Sequence, residues 1–501
     1  MEQLGLAYLA AVARADGFSV EIIDGFLEPE RYDAKLAAMR PGDYMLIGYP
    51  VYQETVRRVA SDVRTLRERG ITTHVTVGNY LATLHGERVL EDYPEFDSAI
   101  RGEGEYAVTE LLHALRGDRR PEDIAGLVHR TDGGIVANPP RPNTADLDTI
   151  PFPSRDTLPL VLKAGNAPLI YSSRGCNACC EFCSVHKYYN TSPGGRWRGR
   201  SPANVVDEIE FLMRTFDVTE FAFADEQFMG HGGSGRDRAI GIADEIIRRE
   251  LKVRWYIETR SADVLPAVFG RLKEAGLASV FMGVESGYDP ALRALRKGLL
   301  VLNHMQAIRT LLDLEILPSI GFIMFRPEST FDELRYNLDF LEEIGCGELT
   351  ALATIAKVYT GTDLESRLLG EGTLQGDYRK YQWIFQNSGM KDCCTLFMEN
   401  ADLFSLMYNE FAEIRRSGSL SFAECRSLQR FMNHAPIAIL RDAVNTIERE
   451  ACCSNDLRSD VRTRLLDAAQ EFLRLLRFTT AISEERVVDD GFRLLNPMAL
   501  C

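Results

Sequence analysis

Arg174-Gly175-Cys176-Asn177-Ala178-Cys179-Cys180-Glu181-Phe182-Cys183 sets Cys176, Cys180 and Cys183 within eight residues, just after the apolar run Leu169-Ile170-Tyr171. An iron–sulfur cube is held by thiolates and normally takes four. A single loop that offers three leaves one iron without a protein ligand, free to bind a substrate. Two plainer readings use the same residues. His186 follows at a spacing that could complete a Cys3His zinc site, although structural zinc usually draws its ligands from two separated pairs. The cysteines could also be small core hydrophobes. The sequence on either side favours the cluster.

From Pro168 onward, strand-like and helical stretches alternate. The candidate strands are Leu169–Ser172, Val218–Ala224, Val253–Ile257, Ser279–Val284, Leu317–Met324 and Leu349–Lys357. Ser201-Pro202 opens one intervening helix, with serine as N-cap and proline in the first turn. Six such units predict a partial (β/α)6 barrel whose ligands lie at the carboxyl ends of its strands. Gly230-His231-Gly232-Gly233-Ser234-Gly235 formally satisfies a dinucleotide-binding pattern. Its glycines begin five residues beyond the strand, so it reads as a loop beside the site rather than a nicotinamide cradle.

Upstream, residues 1–140 also alternate. Leu4–Gly17, Thr55–Arg69 and Tyr106–Leu115 read as helices; Ser19–Ile23, Tyr44–Gly48, Thr72–Val77 and Ser98–Arg101 read as strands. That order predicts a Rossmann-like parallel sheet. Proline-rich residues 141–165 read as a linker, residues 166–370 as the barrel, and residues 371–501 as a helical C-terminal domain. Helical patterns there cover Asp402–Arg416, Ala423–Met432, Ala438–Glu450 and Leu457–Leu476. The fold class is α/β with appended helices. Cys393-Cys394 and Cys452-Cys453 lack metal-ligand spacing and read as core thiols.

Composition narrows the partners. Eleven cysteines without regular pairing in 501 residues do not read as a secreted disulfide framework and fit a reducing cytoplasm. Leu4–Ala13 is apolar but has no basic leader and is too short to span a bilayer. A formal charge of −16 disfavours nucleic acid and suits a small, even cationic, substrate. The one dense basic cluster is Arg196, Arg198 and Arg200, interleaved with Trp197.

The cysteine spacing, with Phe182 before the last thiol, resembles the radical SAM superfamily, and the likeness extends over roughly residues 168–370. It implies a [4Fe-4S] cluster on Cys176, Cys180 and Cys183, with S-adenosylmethionine on the open iron beside Phe182. Phe221-Ala222-Phe223-Ala224-Asp225-Glu226 looks like the family's second strand and the acidic motif that holds the methionine amino group. Trp255-Tyr256-Ile257-Glu258-Thr259-Arg260 looks like the third, where Arg260 suits a carboxylate. Met282-Gly283-Val284-Glu285-Ser286-Gly287 resembles the ribose-contacting segment. Gly321-Phe322-Ile323-Met324-Phe325-Arg326-Pro327 matches the fifth strand in part. The resemblance implies reductive cleavage to a 5′-deoxyadenosyl radical that abstracts hydrogen from a small polar metabolite. Asp225, Glu226 and Glu258 are the acid–base candidates. A flavodoxin- or ferredoxin-type electron donor is expected.

Leu4-Gly5-Leu6-Ala7-Tyr8-Leu9-Ala10-Ala11-Val12 and Arg101-Gly102-Glu103-Gly104-Glu105 resemble the cobalamin-binding domain of many radical SAM methyltransferases. Three departures count against a working cobalamin site. No strand precedes the first helix, Gly48-Tyr49-Pro50-Val51-Tyr52 replaces small hydroxyl residues, and Gly78-Asn79-Tyr80 replaces a glycine pair. The expectation from these is loss of cobalamin. Without it, the chain resembles the radical diol dehydratases of aminoglycoside deoxygenation, which implies dehydration of an aminosugar and a separate partner reductase. With cobalamin retained, methylation of an unactivated carbon is the alternative.

Overall fold

The computed structural model describes residues 2–417 and 420–484. The chain divides into two compact units: Met1–Val253 with Val358–Gln382, and Arg254–Lys357 with the described residues from Trp383 onward.

The first unit opens with the helix Leu4–Ala15, which buries Leu4, Ala7, Tyr8, Ala10, Val12 and Ala13. Strands β1 (Leu46–Pro50), β2 (His74–Gly78) and β3 (Ser98–Ile100) run parallel. β4 (Leu127–Thr131) and β5 (Gly134–Ala137) then add an antiparallel hairpin. The sheet is therefore mixed rather than wholly parallel. Asp132-Gly133 between two apolar stretches is the local cause, since such a pair favours tight hairpin turns. Its core is aliphatic, with Val63, Val77, Ala82, Val89, Leu90 and Val128 all inaccessible to solvent. Ser19–Ile23 makes no ladder. Val20 and Ile22 pack on the first helix instead, and β1 remains the sheet's half-exposed edge.

β6 (Leu169–Ile170) pairs in parallel with a later strand, Glu220–Phe223. Between them, β7 (Ser173–Arg174) and β8 (Arg198–Gly199) form a short antiparallel ladder. We number Glu220–Phe223 β9. The helix Pro202–Phe216 starts where Ser201-Pro202 predicts, with the Ser201 hydroxyl accepting from Asn204 N at 3.2 Å. Val358–Gln382 contributes the helix Asp363–Gly370 and a hairpin to this unit.

The segment read as a linker is pinned. Arg155, 8% exposed, donates to Glu208 at 2.6 Å and to Glu2, while Arg200 donates to the other oxygen of Glu208.

In the second unit, β10 (Arg254–Thr259), β11 (Leu277–Glu285) and β12 (Leu317–Phe322) are parallel and alternate with the helices Pro266–Glu274 and Val301–Asp313. The sixth strand expected at Leu349–Lys357 does not form. Leu349–Ala353 is a 3-10 turn, and only Ile355 bridges to Phe325. Four helices follow: Ser388–Glu399, Ala401–Ser417, Phe422–Glu450 and Asn455–Glu484. Phe422–Glu450 unites two expected helices. Ser421 and Glu424 form a capping box at its start, and Pro436 is buried inside it. Of the two cysteine pairs, only Cys393 is buried; Cys394 and Cys453 are half-buried and Cys452 is exposed. Among the described residues, no helix is long and apolar enough to cross a membrane.

Glu208 is fully buried between two guanidiniums. Replacing it with alanine strands Arg200 and leaves Arg155 with Glu2 alone, so Glu208→Ala is expected to destabilise the protein by about 3–5 kcal/mol, read as a lower denaturant midpoint at unchanged m-value.

Candidate functional site

The thiol loop is shaped by its glycine and braced by two carboxylates. Gly175 has φ +88°, and a Cβ there would overlap the Arg196 carbonyl, so no other residue fits this turn. Cys180 is buried, Cys176 and Cys183 are half-buried, and Cys179 is exposed. Phe182 is half-buried beside them. Cys176 Sγ donates to Gln227 Oε1 at 3.2 Å and accepts from Ala178 N at 3.4 Å.

Asp225 and Glu226 follow β9 directly. Asp225 accepts from Ser172 N at 2.7 Å, from Ser173 Oγ at 2.9 Å and from Ser172 Oγ. It is wholly buried, and it braces the strand end that leads into the loop. Glu226 accepts from Gly175 N at 2.9 Å and from Tyr189 Oη at 3.4 Å. Burial pushes both carboxyls above their ordinary range.

The glycine-rich stretch after these acids has a packing role. A Cβ on Gly230, where φ is +64°, would lie 2.5 Å from the Trp197 ring. Trp197 in turn donates to the Gln227 carbonyl at 2.8 Å. Residues 232–235, read as part of a loop, instead open the helix Gly232–Arg248, and the turn before it seats the indole against Gly230.

Among the described residues, no three His, Cys, Asp or Glu side chains converge as a single ion requires. A cubane presents its irons at separate corners, so its ligands do not share one point. Three thiols around one loop, whose turn is set by Gly175, suit that larger group.

The carboxyl edge of the N-terminal sheet meets the same loop. Asn79, just after β2, has φ +76°, a conformation asparagine tolerates better than most residues. Its side chain turns aside to donate to Tyr52 Oη at 2.8 Å and to accept from Tyr80 N at 2.6 Å. The glycine-like backbone is thus kept, and the blocking expected of a side chain here is relieved. Gly78 has nothing within 4 Å of a would-be Cβ, which leaves open space at this edge for a bulky group. The Tyr80 ring lies 4.8 Å from that of Tyr188, whose ring meets Tyr189 at 4.9 Å. Burial holds the Tyr80 phenol well above its ordinary range, and Glu226, Tyr188 and Cys183 push it the same way. An aromatic wall therefore joins the sheet edge to the thiol loop.

The second unit holds the remaining predicted residues. Glu258 and Arg260, at and just past the end of β10, are half-buried, and Arg260 donates to the Lys297 carbonyl at 2.5 Å. Glu285 has φ +70° at a register shift in β11 and pairs with buried Lys297 at 2.9 Å. Ser286 Oγ and Gly287 N both donate to Asn337 Oδ1, at 2.8 and 2.7 Å. Buried His304 contacts Ser261 Oγ at 2.7 Å; burial, with Lys297 and Arg260 nearby, pushes it down to about 3. Gln227, Lys297 and Asn337 escaped the sequence reading. Gln227 adjoins the acidic motif and was within reach of it. Lys297 and Asn337 carry no local signal.

Comparison with known proteins places these features. Residues 1–112 match the B12 binding domain and residues 170–341 the radical SAM superfamily. An uncharacterized methyltransferase of Pyrococcus horikoshii is 30% identical over 393 residues, 76% of this chain and 82% of that protein. The anaerobic magnesium-protoporphyrin IX monomethyl ester cyclase of Rubrivivax gelatinosus is 27% identical over 66% of this chain and 60% of its own length. Among solved structures, the cobalamin-dependent S-adenosylmethionine radical enzyme OxsB, with aqua-cobalamin and S-adenosylmethionine bound, shares the fold. It has a TM-score of 0.74 at 19% identity, over 98% of this chain and 79% of that one. The B12-domain match and the set of Asn79 together run against the expectation that cobalamin is lost.

Gly175→Ala is expected to abolish uptake of iron and sulfide on anaerobic reconstitution while far-ultraviolet circular dichroism stays unchanged. Normal iron content in that variant would contradict the geometry of the loop.

Proposed function

Because this chain belongs to the radical SAM enzymes that carry a B12-binding domain, we propose that it is a cobalamin-using methyltransferase acting on an unactivated carbon of a small metabolite. The observation that carries this reading is the aromatic wall of Tyr80, Tyr188 and Tyr189. It sets the open carboxyl edge of the N-terminal sheet against the thiol loop, as a reaction using both cofactors requires. The relative named as a methyltransferase supports the same direction. Dehydration of an aminosugar rests on loss of cobalamin, on a resemblance to the radical diol dehydratases and on net charge, and the B12-domain match runs against the first of these.

In this reading Cys176, Cys180 and Cys183 hold the cluster. Glu226 is the polar group beside the loop that is available to S-adenosylmethionine, and Phe182 borders it; for Arg260, Glu285 and Ser286 of the second unit a role toward it rests on the family likeness alone. When bound, the cluster with S-adenosylmethionine supplies radical chemistry and cobalamin supplies a transferable methyl group. The chain's own task is to bind, orient and exclude water. Buried Tyr189 and half-buried Tyr80, Tyr171 and Tyr188 do the last, lying about Glu226. Glu226, its carboxyl raised by burial, can keep a proton at a pH where an ordinary glutamate has lost it. Asp225 is committed to the Ser172 and Ser173 brace, which leaves Glu226 and Glu258 for acid–base work. Lys297 fixes the Glu285 carboxylate.

Protein purified and reconstituted without oxygen, then supplied with cobalamin, is expected to retain a corrin absorbance after gel filtration. With S-adenosylmethionine, a reductant and candidate metabolites it should yield both S-adenosylhomocysteine and 5′-deoxyadenosine, with a product one methylene unit heavier. A corrin-free protein that forms 5′-deoxyadenosine and a product lighter by one water would overturn methylation in favour of dehydration.

A further inference from the structure

The thiol loop is closed at its base by two residue pairs, Ser173 with Gly199 and Arg174 with Arg198. Arg174 and Arg198 therefore stand directly opposite each other, a placement that like charges disfavour. Solvent does not relieve them: the Arg198 side chain is 6% exposed and that of Arg174 12%. The compensating charge comes from the turn after β3. Glu103 accepts from Arg198 Nη1 with both oxygens, at 2.9 and 3.0 Å, and from Arg174 Nη1 at 3.1 Å. Glu105 takes the other end of Arg174, at 2.6 Å.

Arg198 is the more exposed to loss. Its Nη1 also donates to the Thr144 carbonyl at 2.7 Å, its Nε and Nη2 have no hydrogen-bond partner, and Glu103 is the only carboxylate seen to pair with it among the described residues. The same turn holds the far side of the loop, since Gly102 O accepts from Tyr188 Oη at 2.8 Å. Thr144 N donates to Glu103 at 2.7 Å, which fixes the carboxylate itself.

We propose that Glu103 is a positioning residue for the iron–sulfur loop: its carboxylate is the counter-ion that lets Arg174 and Arg198 pair, and it thereby ties the N-terminal sheet to the spacing of Cys176, Cys180 and Cys183. Glu103 acts on the loop through the two arginines. The metal part of this inference rests on the cluster reading above; the ladder part does not.

Hydrogen exchange on the cluster-free full chain separates the two. In Glu103→Gln, amides of residues 174–190 are expected to exchange roughly a hundredfold faster, the scale set by a buried ion pair that loses one member. Amides of the helix Asn455–Glu484 should not change. Iron and sulfide uptake should fall in parallel, and the electron paramagnetic resonance of the reduced cluster should broaden. Glu103→Gln/Arg198→Met removes the stranded cation together with its partner and leaves Arg174 on Glu105. It should fold and recover both loop protection and iron uptake, a rescue that a merely space-filling glutamate would not show. A single variant that exchanges like wild type, or a double variant that stays fast or fails to fold, overturns the proposal. Wild-type protein that shows the exchange pattern yet takes up no iron overturns the cluster reading and leaves the ladder assignment standing.

Discussion

A buried guanidinium must find a carboxylate, and this constraint organises the first unit. Moving either ion out of water costs several kcal/mol, recovered only when geometry and hydrogen bonds are good. Arg198 and Arg200 lie two residues apart in one extended segment and are 7% and 5% exposed. Arg198 is met by Glu103 and Arg200 by Glu208, which continues through Arg155 to Glu2. The first helix, the proline-rich connection, the thiol loop and the helix after it are thus joined by paired charge rather than by apolar packing alone. The loop's position is a consequence of that chain of pairs.

Much of this was legible beforehand. Cysteine spacing located the loop. Runs of β-branched and aromatic residues located β1 to β3, β6 and β9 to β12, because such residues suit a pleated surface that is at least partly buried. What failed did so for physical reasons. Arg196, Arg198 and Arg200 read only as a dense basic cluster, since sequence shows the cations and not the distant Glu103 and Glu208 that neutralise two of them. Asn79 looked like an obstacle, because a residue type does not reveal that its side chain will fold back onto its own backbone. Leu349–Lys357 has strand composition, yet only Ile355 keeps a bridge to Phe325. The Asp132-Gly133 hairpin signal was present and simply outweighed by the alternating pattern around it.

The second unit shows a different economy. Glu285 sits in a left-handed conformation that a residue with a Cβ adopts only at a cost. The bulge in β11, the Ile323 amide on its carbonyl at 2.8 Å, and the ammonium of Lys297 together hold it there. Gly283 makes room, since any Cβ at that position would run into both the Glu285 carboxylate and Lys297. A carboxylate prepared in this way needs little reorganisation to meet a polar ligand.

Val358–Gln382 rejoins the first unit after the chain has left it for residues 254–357. Thr360 N donates to Gln53 at 3.0 Å, Thr360 Oγ1 meets His85 at the kink of its helix, and Leu364 N donates to Glu181 O at 3.0 Å. Synthesis proceeds from the amino terminus, and domains generally mature as they emerge. Here the ribosome must deliver the whole intervening stretch before the amino-terminal half receives its last strap. Until then Gln53, His85 and the Glu181 carbonyl lack the partners that Thr360 and Leu364 bring them.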